Sequence, residues 1–377
     1  SSTSRGLGDV YKRQHSISLD EAKKLQFKII DTITKHFDGR EVLSLGDLGV
    51  VKGLNKPTYT KKVENVFAEV FDAEAAILVR GAGTGAIRWG LISFMESGDT
   101  ILVHDAPIYP TSKVTIETMG LKIIKANFNN LNDVKDVVLK NPHIKGALVQ
   151  NTRQKIDDSY DLEEVITAIK ESNSNIKIIT DDNYAALKVK KIGNQCGADL
   201  GSFSCFKILG PEGVGVLIGN KELVDKVYSL NYSGGSQVQG HEAMEALRGL
   251  VYAPVSLAIQ SEVNEELVNR LRSGEVEGVK DAFLANAQSK VLLVELDENI
   301  AEDVLELTTK YGAASHPVGS ESKYEFVPMM YRVSGTFRAA DPTLEKRMIR
   351  VNPMRSGADT IIRILKSAIE DVKKEIK

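Results

Sequence analysis

The chain has 377 residues, 42% apolar and 26% charged, enough for one large core and a smaller one and unlike a fibrous or disordered composition. Its 48 basic residues nearly balance 51 acidic ones and form no long block, so nucleic acid and anionic membrane surfaces have no electrostatic footprint to bind. Cys196 and Cys205 are too few for a disulfide scaffold and no apolar run reaches membrane-spanning length, which makes a reduced, cytoplasmic setting the expectation.

Residues 1–14, SSTSRGLGDVYKRQ, hold no apolar stretch and no initiator methionine. Their DVYKRQ end looks like a translated adaptor sequence, with a plain polar tail as the other reading, and the tail is set aside from the fold. Beyond it, helix-period spacing over Lys62 to Phe71 precedes a short apolar strand, Ala75 to Val79. A glycine-rich turn and a helical run to about Glu96 follow. Strands are expected at Ile101–Val103, Leu121–Ile124, Gly146–Val149 and Ile176–Thr180, with helices ending near Gly120, covering Asn132–Lys140, and opening at Asp161. Asp161 with Glu164 three residues on forms a capping-box-like start. Short apolar strands alternating with helices predict a mostly parallel sheet covered on both faces. From His241 to about Arg272 the pattern is helical, with an interruption expected at Pro254. Lys290–Leu296 reads as a strand, and Ile300–Tyr311 as a helix stopped by Gly312. Ile361, Leu365, Ala368, Ile369 and Val372 mark a terminal amphipathic helix.

The turn Gly81-Ala82-Gly83-Thr84-Gly85-Ala86 lies between a strand and a helix. Small residues let an anion approach the backbone, and the helix start presents free amides, so a phosphate is the natural guest. The run also fits the dinucleotide fingerprint G-x-G-x-x-A, with Asp105 about 20 residues on as a ribose acid. A tight turn with no ligand is the third reading.

Three further residues fit another cofactor. Lys207, in the apolar run SFSCFKILGPEGVGVLIG, is costly there unless it has a partner or a task such as forming a Schiff base; otherwise it snorkels from a strand end. In IKIITDDNY a strand ends at Asp181, where a carboxylate could hold a pyridine nitrogen protonated, or where Asp181 or Asp182 could simply cap a turn. In ILVHDAPIYPTS, Tyr109 could stack on a flat ring or sit in a surface turn. Cys205, two residues before the lysine, reads as a buried hydrophobe, and no His/Cys/Asp cluster has metal-ligand spacing.

This order of phosphate turn, aromatic, acid and Ser-x-x-Lys resembles that of fold-type-I pyridoxal 5'-phosphate (PLP) enzymes. Over its native length the chain resembles the YhfS-like proteins, a PLP-dependent family related to cystathionine γ-synthases and class V aminotransferases. The runs GDLGVVKGLN, GAGTGAIR, VHDAPIYPT, TDDNYA, FSCFKILGPEGVG, YSGGSQ, SGTFR and IRVNPMRSG carry the resemblance. It implies an α/β fold of type I: a mostly parallel sheet sandwiched by helices, with a smaller α+β C-terminal domain. The division it implies is an N-terminal segment over 15–58, a PLP-binding large domain over 59–250, and a connector helix with a small domain over 251–377.

Residue by residue, the resemblance implies that Lys207 carries PLP as the internal aldimine and that Gly83, Thr84 and Ser204 hold the phosphate. Asp181 would pair with the pyridine nitrogen beneath Tyr109, and Tyr184 or Asn151 would lie near the ring hydroxyl, with Thr152 and Arg153 as further candidates. Arg350 would clamp a substrate carboxylate, since a guanidinium binds it bidentately, with Arg338 and Arg355 as competitors. One departure is that Glu212-Gly213-Val214-Gly215 stands where several aminotransferases carry a phosphate-binding arginine. Neutralisation would then come from the helix dipole or a partner subunit, with Tyr232–Ser236 small and hydroxyl-rich enough to approach an anion. A homodimer is implied, and Tyr59 could reach across it. The expected activity is a PLP-dependent transferase or lyase acting on an amino-acid-like small molecule by elimination, replacement or transamination. A non-catalytic PLP-binding regulator and an NAD(P)-dependent oxidoreductase are the alternatives.

Overall fold

Residues 15–152, 154–285, 292–315 and 321–376 are described by the computed structural model; the tail at 1–14, Arg153 and the Lys290 start of one expected strand lie outside them. The first helix, α1 (Leu19–His36), opens on a full capping box in which Ser18 and Glu21 satisfy each other's backbone amides. The chain then runs α2 (Thr58–Val70), β1 (Ala75–Arg80), α3 (Ala82–Phe94), β2 (Thr100–His104), α4 (Pro110–Thr118) and β3 (Lys122–Ala126). It continues through α5 (Leu131–Lys140), β4 (Ile144–Gln150), α6 (Leu162–Ser172), β5 (Lys177–Asp181), β6 (Leu200–Ser204), β7 (Val214–Gly219) and α7 (Lys221–Leu230). The strands foreseen in this half are all present, displaced by one or two residues. Asp161 caps α6 by accepting from the Glu164 amide at 3.0 Å.

These strands form one seven-stranded sheet in the order β1-β7-β6-β5-β4-β2-β3. Its centre is parallel, and β7 runs antiparallel between β1 and β6. Strands β2, β6 and β7 are buried at every position, as a sheet covered by helices on both faces requires. Gln150 and Asp181 end β4 and β5 in register, and Ser204 ends β6. The carboxyl edge of the sheet therefore collects these side chains in one row, where open α/β sheets bind ligands.

The long helix α8 (Gly240–Arg272) corrects one expectation, because Pro254 lies inside it and does not interrupt it. Tertiary packing overrides the lost hydrogen bond: Ala253, Pro254 and Leu257 are buried, with α1 and α2 packed alongside. The boundary expected at 250/251 falls within this helix, which passes from the large sheet to the small one.

Beyond it come β8 (Val279–Leu284), β9 (Leu292–Leu296), α9 (Ala301–Thr308), β10 (Met329–Arg332), α10 (Gly335–Ala340), α11 (Leu344–Arg347), β11 (Met348–Asn352) and α12 (Ala358–Ile376). A 3-10 turn, Thr309–Tyr311, extends α9 to Gly312, whose φ of +100° ends it. The four strands form an antiparallel sheet, β10-β11-β9-β8. On α12, Ile361, Leu365, Ala368, Ile369 and Val372 are all buried in the core of this sheet, as their spacing predicts. Among the described residues no helix is long and apolar enough to cross a membrane.

Candidate active site

The glycine turn needs its small residues for two reasons. Gly81 and Ala82 adopt φ of +97° and +55°, and both amides donate to the Gly213 carbonyl, which folds the turn against the strand connection before β7. A Cβ at Gly85 would stand 2.1 Å from the Arg80 carbonyl oxygen, and one at Gly83 would stand 2.3 Å from Asn183 Nδ2. The turn thus brings the amide-rich start of α3 against the β5 edge. Thr84 shares a 2.8 Å hydroxyl bond with Thr111 on α4. Gly85→Ala should cost about 1–3 kcal/mol, because the clash is with backbone and cannot be relieved by a rotamer; the denaturant midpoint measures this.

After β5 the sequence Asp181-Asp182-Asn183-Tyr184 separates four roles. Asp181 faces the cavity described below and is buried. Burial pushes its pKa up, against two hydrogen bonds to Oδ1, from the Asn183 amide at 3.1 Å and from Asn183 Nδ2 at 2.8 Å. Asp182 turns into the core and accepts from Thr180 Oγ1, Asn151 Nδ2 and the Gly193 amide at 2.7, 2.8 and 3.0 Å. Burial raises its pKa to about 6. Asn183 was missed from sequence, although its Oδ1 also accepts the Ser204 amide at 2.9 Å. It therefore ties the acid to the end of β6. Tyr184 follows with φ +65°, a strained conformation for a non-glycine residue that turns its ring into the cavity.

Asn151 is a correction. Its side chain is fully buried, donates to Asp182, and does not line the cavity; Gln150 and Thr152 line it there instead. The following loop is anchored by Asp158, which accepts the amides of Gln154 and Lys155 at 3.1 and 2.8 Å and bonds His104 at 2.9 Å. Burial would raise its pKa, yet His104 and Asn129 hold it down at about 2.

Ser204 caps the 3-10 turn Cys205–Ile208 by accepting from the Phe206 amide at 3.2 Å. That turn, closed by Leu209 at φ +60°, projects Lys207 back over the edge it has just left. Lys207 Nζ lies 4.4 Å from the centre of the Tyr184 ring. Burial alone would lower its pKa, but the Tyr184 hydroxyl, Glu321 and Tyr331 outweigh it and the balance is upward.

The opposite wall comes from the small domain. Arg350 on β11 pairs in register with Tyr331 on β10, and its guanidinium carbon stands 3.8 Å from the centre of that ring. Of the three arginines weighed from sequence, Arg350 alone lines the cavity. Arg338 pairs with Glu345 at 3.4 Å, and Arg355 donates to Gln260 at 3.3 Å. Arg332, on the same wall, was not foreseen.

One cavity of about 1510 Å³ joins these parts. Lys207, Asp181, Tyr109, Gly83, Thr84, Ser204, Tyr184 and Arg350 all line it, whereas Tyr59, Asp105 and the segment Tyr232–Ser236 do not. Tyr59 packs against Phe37, and Gly234 lies beside Val50. Both cysteines are buried, with the Cys196 thiol pushed up to about 12 by burial and the Cys205 thiol also raised by burial. A maleimide should leave both unmodified in the folded protein and label both once it unfolds, as mass spectrometry would show. No metal-binding group of acids, histidines and cysteines occurs among the described residues.

Comparison with known proteins agrees with this architecture. Residues 55–248 match the aminotransferase class-V family model, and residues 265–365 match the model of the YhfS-like C-terminal domain. Protein YhfS of Escherichia coli (strain K12) is 50% identical over 357 residues, covering 95% of this chain and 98% of that one. The crystal structure of the pyridoxal-5'-phosphate dependent protein YhfS from Escherichia coli superposes with a TM-score of 0.92 over 95% of this chain and 99% of that one, at 50% identity. A cystathionine γ-lyase from Micromonospora echinospora shares the fold alone, with a TM-score of 0.68 at 15% identity over 84% of this chain and 87% of that one. A cysteine desulfurase of Wigglesworthia glossinidia brevipalpis is 26% identical over 47% of this chain and 46% of its own length. With a fold-type-I large domain, a small antiparallel domain and half its residues shared along almost the whole length with YhfS, the chain belongs to the YhfS-like family.

Proposed function

We propose that this chain is a PLP-dependent enzyme that acts on an amino acid or a closely related amine, with Lys207 Nζ as the covalent anchor of the cofactor. The observation that carries this reading is the convergence of Lys207, Asp181, Tyr109, the Gly83–Thr84 helix start and Ser204 on one cavity. The donor set fits the group. A phosphate suits the open amides of α3 with the Thr84 and Ser204 hydroxyls. A protonated pyridine nitrogen suits the buried Asp181 carboxylate, whose Asn183 bonds fix its orientation. Tyr109 offers a ring face, and Tyr184 or Thr152, both on the cavity wall, supplies the polar contact to the ring hydroxyl. When bound, PLP supplies an electron-withdrawing ring that stabilises negative charge at the substrate α-carbon.

The remaining roles fall to the chain itself. Arg350 orients the substrate through its carboxylate, and Lys207 Nζ, once released, takes or returns the α-proton. Elimination or replacement at the side chain is the favoured outcome, on the likeness of the IRVNPMRSG ending to cystathionine-synthase relatives. The dinucleotide reading of Gly81–Ala86 loses support, because Asp105 does not line the cavity.

The active form is read as a homodimer. Leu43, Leu45 and Leu48 are 72–78% exposed in one N-terminal segment beside the Tyr232–Ser236 turn, a clustering of apolar surface that favours burial against a second copy. The turn would then serve the partner's phosphate.

An amino-acid panel monitored by the visible spectrum of the PLP-loaded protein, with released ammonia and keto acid assayed in parallel, tests the reaction. A spectral response with product supports an enzyme; an unchanged spectrum across the panel supports a binder. For any responding amino acid, Arg350→Ala should raise the concentration giving half response by about 10–100-fold, the worth of a charge-assisted hydrogen-bonded pair. Equal half-response in the variant would remove Arg350 from this role.

A further inference from the structure

Behind the Lys207 wall lies a polar cluster whose members do not line the cavity. Glu321 is fully buried and is held at φ +71°, a conformation a glutamate keeps only when its surroundings fix it. Three donors from three parts of the fold converge on its carboxylate. Lys188 Nζ, from the turn after β5, pairs with Oε2. Gln260 Nε2, from α8, donates to Oε1 at 2.7 Å, and Asn352 Nδ2, from the end of β11, donates to the same oxygen at 3.0 Å. Gln260 in turn accepts from Arg355 Nη1 at 3.3 Å. The cluster thus joins the large sheet, the connector helix and the small sheet at one carboxylate.

Lys188 ends the same turn that presents Tyr184. Tyr184 and Leu187 both have left-handed backbone, at φ +65° and +64°, and the Lys188 carbonyl accepts the Ile17 amide at 2.8 Å. Fixing Lys188 therefore fixes the segment whose ring lies 4.4 Å from Lys207 Nζ. The charged and titratable groups facing Glu321 are Lys188 from the turn, Arg355 beyond β11, and Lys207 across the wall. Tyr184 and Tyr331 stand with Glu321 in raising the proton affinity of the Lys207 amine.

We propose that Glu321 is a positioning residue for Lys207: its ion pair with Lys188 holds in place the turn that sets the Tyr184 ring against Lys207 Nζ. The small domain then does more than bind the substrate carboxylate, because seating it against the large domain fixes the turn beside the lysine. This rests on the assignment of Lys207 as the cofactor lysine, and the test includes a readout that does not need the cofactor.

In the PLP-loaded full-length chain, the pH midpoint of the visible band is compared among wild type, Glu321→Gln and Lys188→Met. The expected result is a midpoint about one pH unit lower in Glu321→Gln and also lowered in Lys188→Met, because each variant frees the turn that holds the Tyr184 hydroxyl near the lysine. In parallel, acetic anhydride labels the cofactor-free chain at fixed pH. Lys207 should acetylate about tenfold faster in Glu321→Gln relative to exposed Lys24. Buried Lys56 should stay unlabelled as the internal sign of a folded chain. Where Glu321→Gln leaves Lys188 unpaired and Lys56 becomes labelled, the double variant Lys188→Met/Glu321→Gln decides, since it strands no buried charge; its midpoint and labelling should still depart from wild type in the direction of Glu321→Gln. Folded variants with the wild-type midpoint and the wild-type Lys207 labelling rate would overturn the proposal. A wild type without a visible band would instead overturn the cofactor assignment, and the labelling would decide the role of Glu321 by itself.

Discussion

Lys207→Ala is expected to fold, to bind PLP only reversibly, and to lose it on dialysis, while the wild type retains it after borohydride treatment. Lys207 sits on a short 3-10 turn held by the Ser204 cap, which does not need the amine, so unfolding free energy should change by no more than about 1 kcal/mol. Turnover should fall by at least about 10³-fold, because the anchor and the proton carrier are lost together. Dialysis followed by absorbance, with a melting curve alongside, separates this outcome from misfolding. Retention of the cofactor by the variant after borohydride would assign the anchor to another lysine.

Asp181→Asn should reduce turnover by about 10²–10³-fold, the usual cost of removing one preorganised charge from a reacting centre. The same change should stabilise the cofactor-free protein at neutral pH. Burial raises the Asp181 pKa in the folded chain above its unfolded value, so between the two values the folded state binds more protons and wild-type stability falls as pH rises. Asparagine removes that loss. The two proteins should therefore melt alike near pH 4, and the variant should melt higher at pH 8. Equal melting at both values would mean that the Asp181 carboxylate is compensated within the chain. The acid proposed to serve the cofactor is thus one that the cofactor-free fold carries at a cost.

Much of this site was legible because its parts lie at ends of strongly patterned elements. The apolar run into Asp181, the glycine turn, and the Ser204 to Lys207 spacing each follow from local sequence, and the parallel sheet carries them to one edge. Arg350 was legible by resemblance only, since its strand β11 has just five residues and its neighbour β10 four, too short for a period to show. What was misread depends on tertiary context. Asn151 and Thr152 are adjacent polar residues with no local signal to say which faces inward, and the demand of buried Asp182 for a donor decides it. Pro254 reads as a break until α1 and α2 are packed along α8. Asn183 gave a signal in TDDNY, but the two strict acids beside it drew the reading. The helix α1 was overlooked although Ser18 and Glu21 have capping-box spacing. Glu321 and Lys188 are far apart in sequence and meet only when the domains are assembled.

The most direct test of the cofactor assignment is peptide mapping of wild-type protein saturated with PLP, reduced with borohydride and digested. The expected result is a reduced cofactor on the peptide containing Lys207 and on no other. A reduced cofactor on a different lysine would move the anchor away from Lys207, and none at all while the protein remains folded would contradict the assignment.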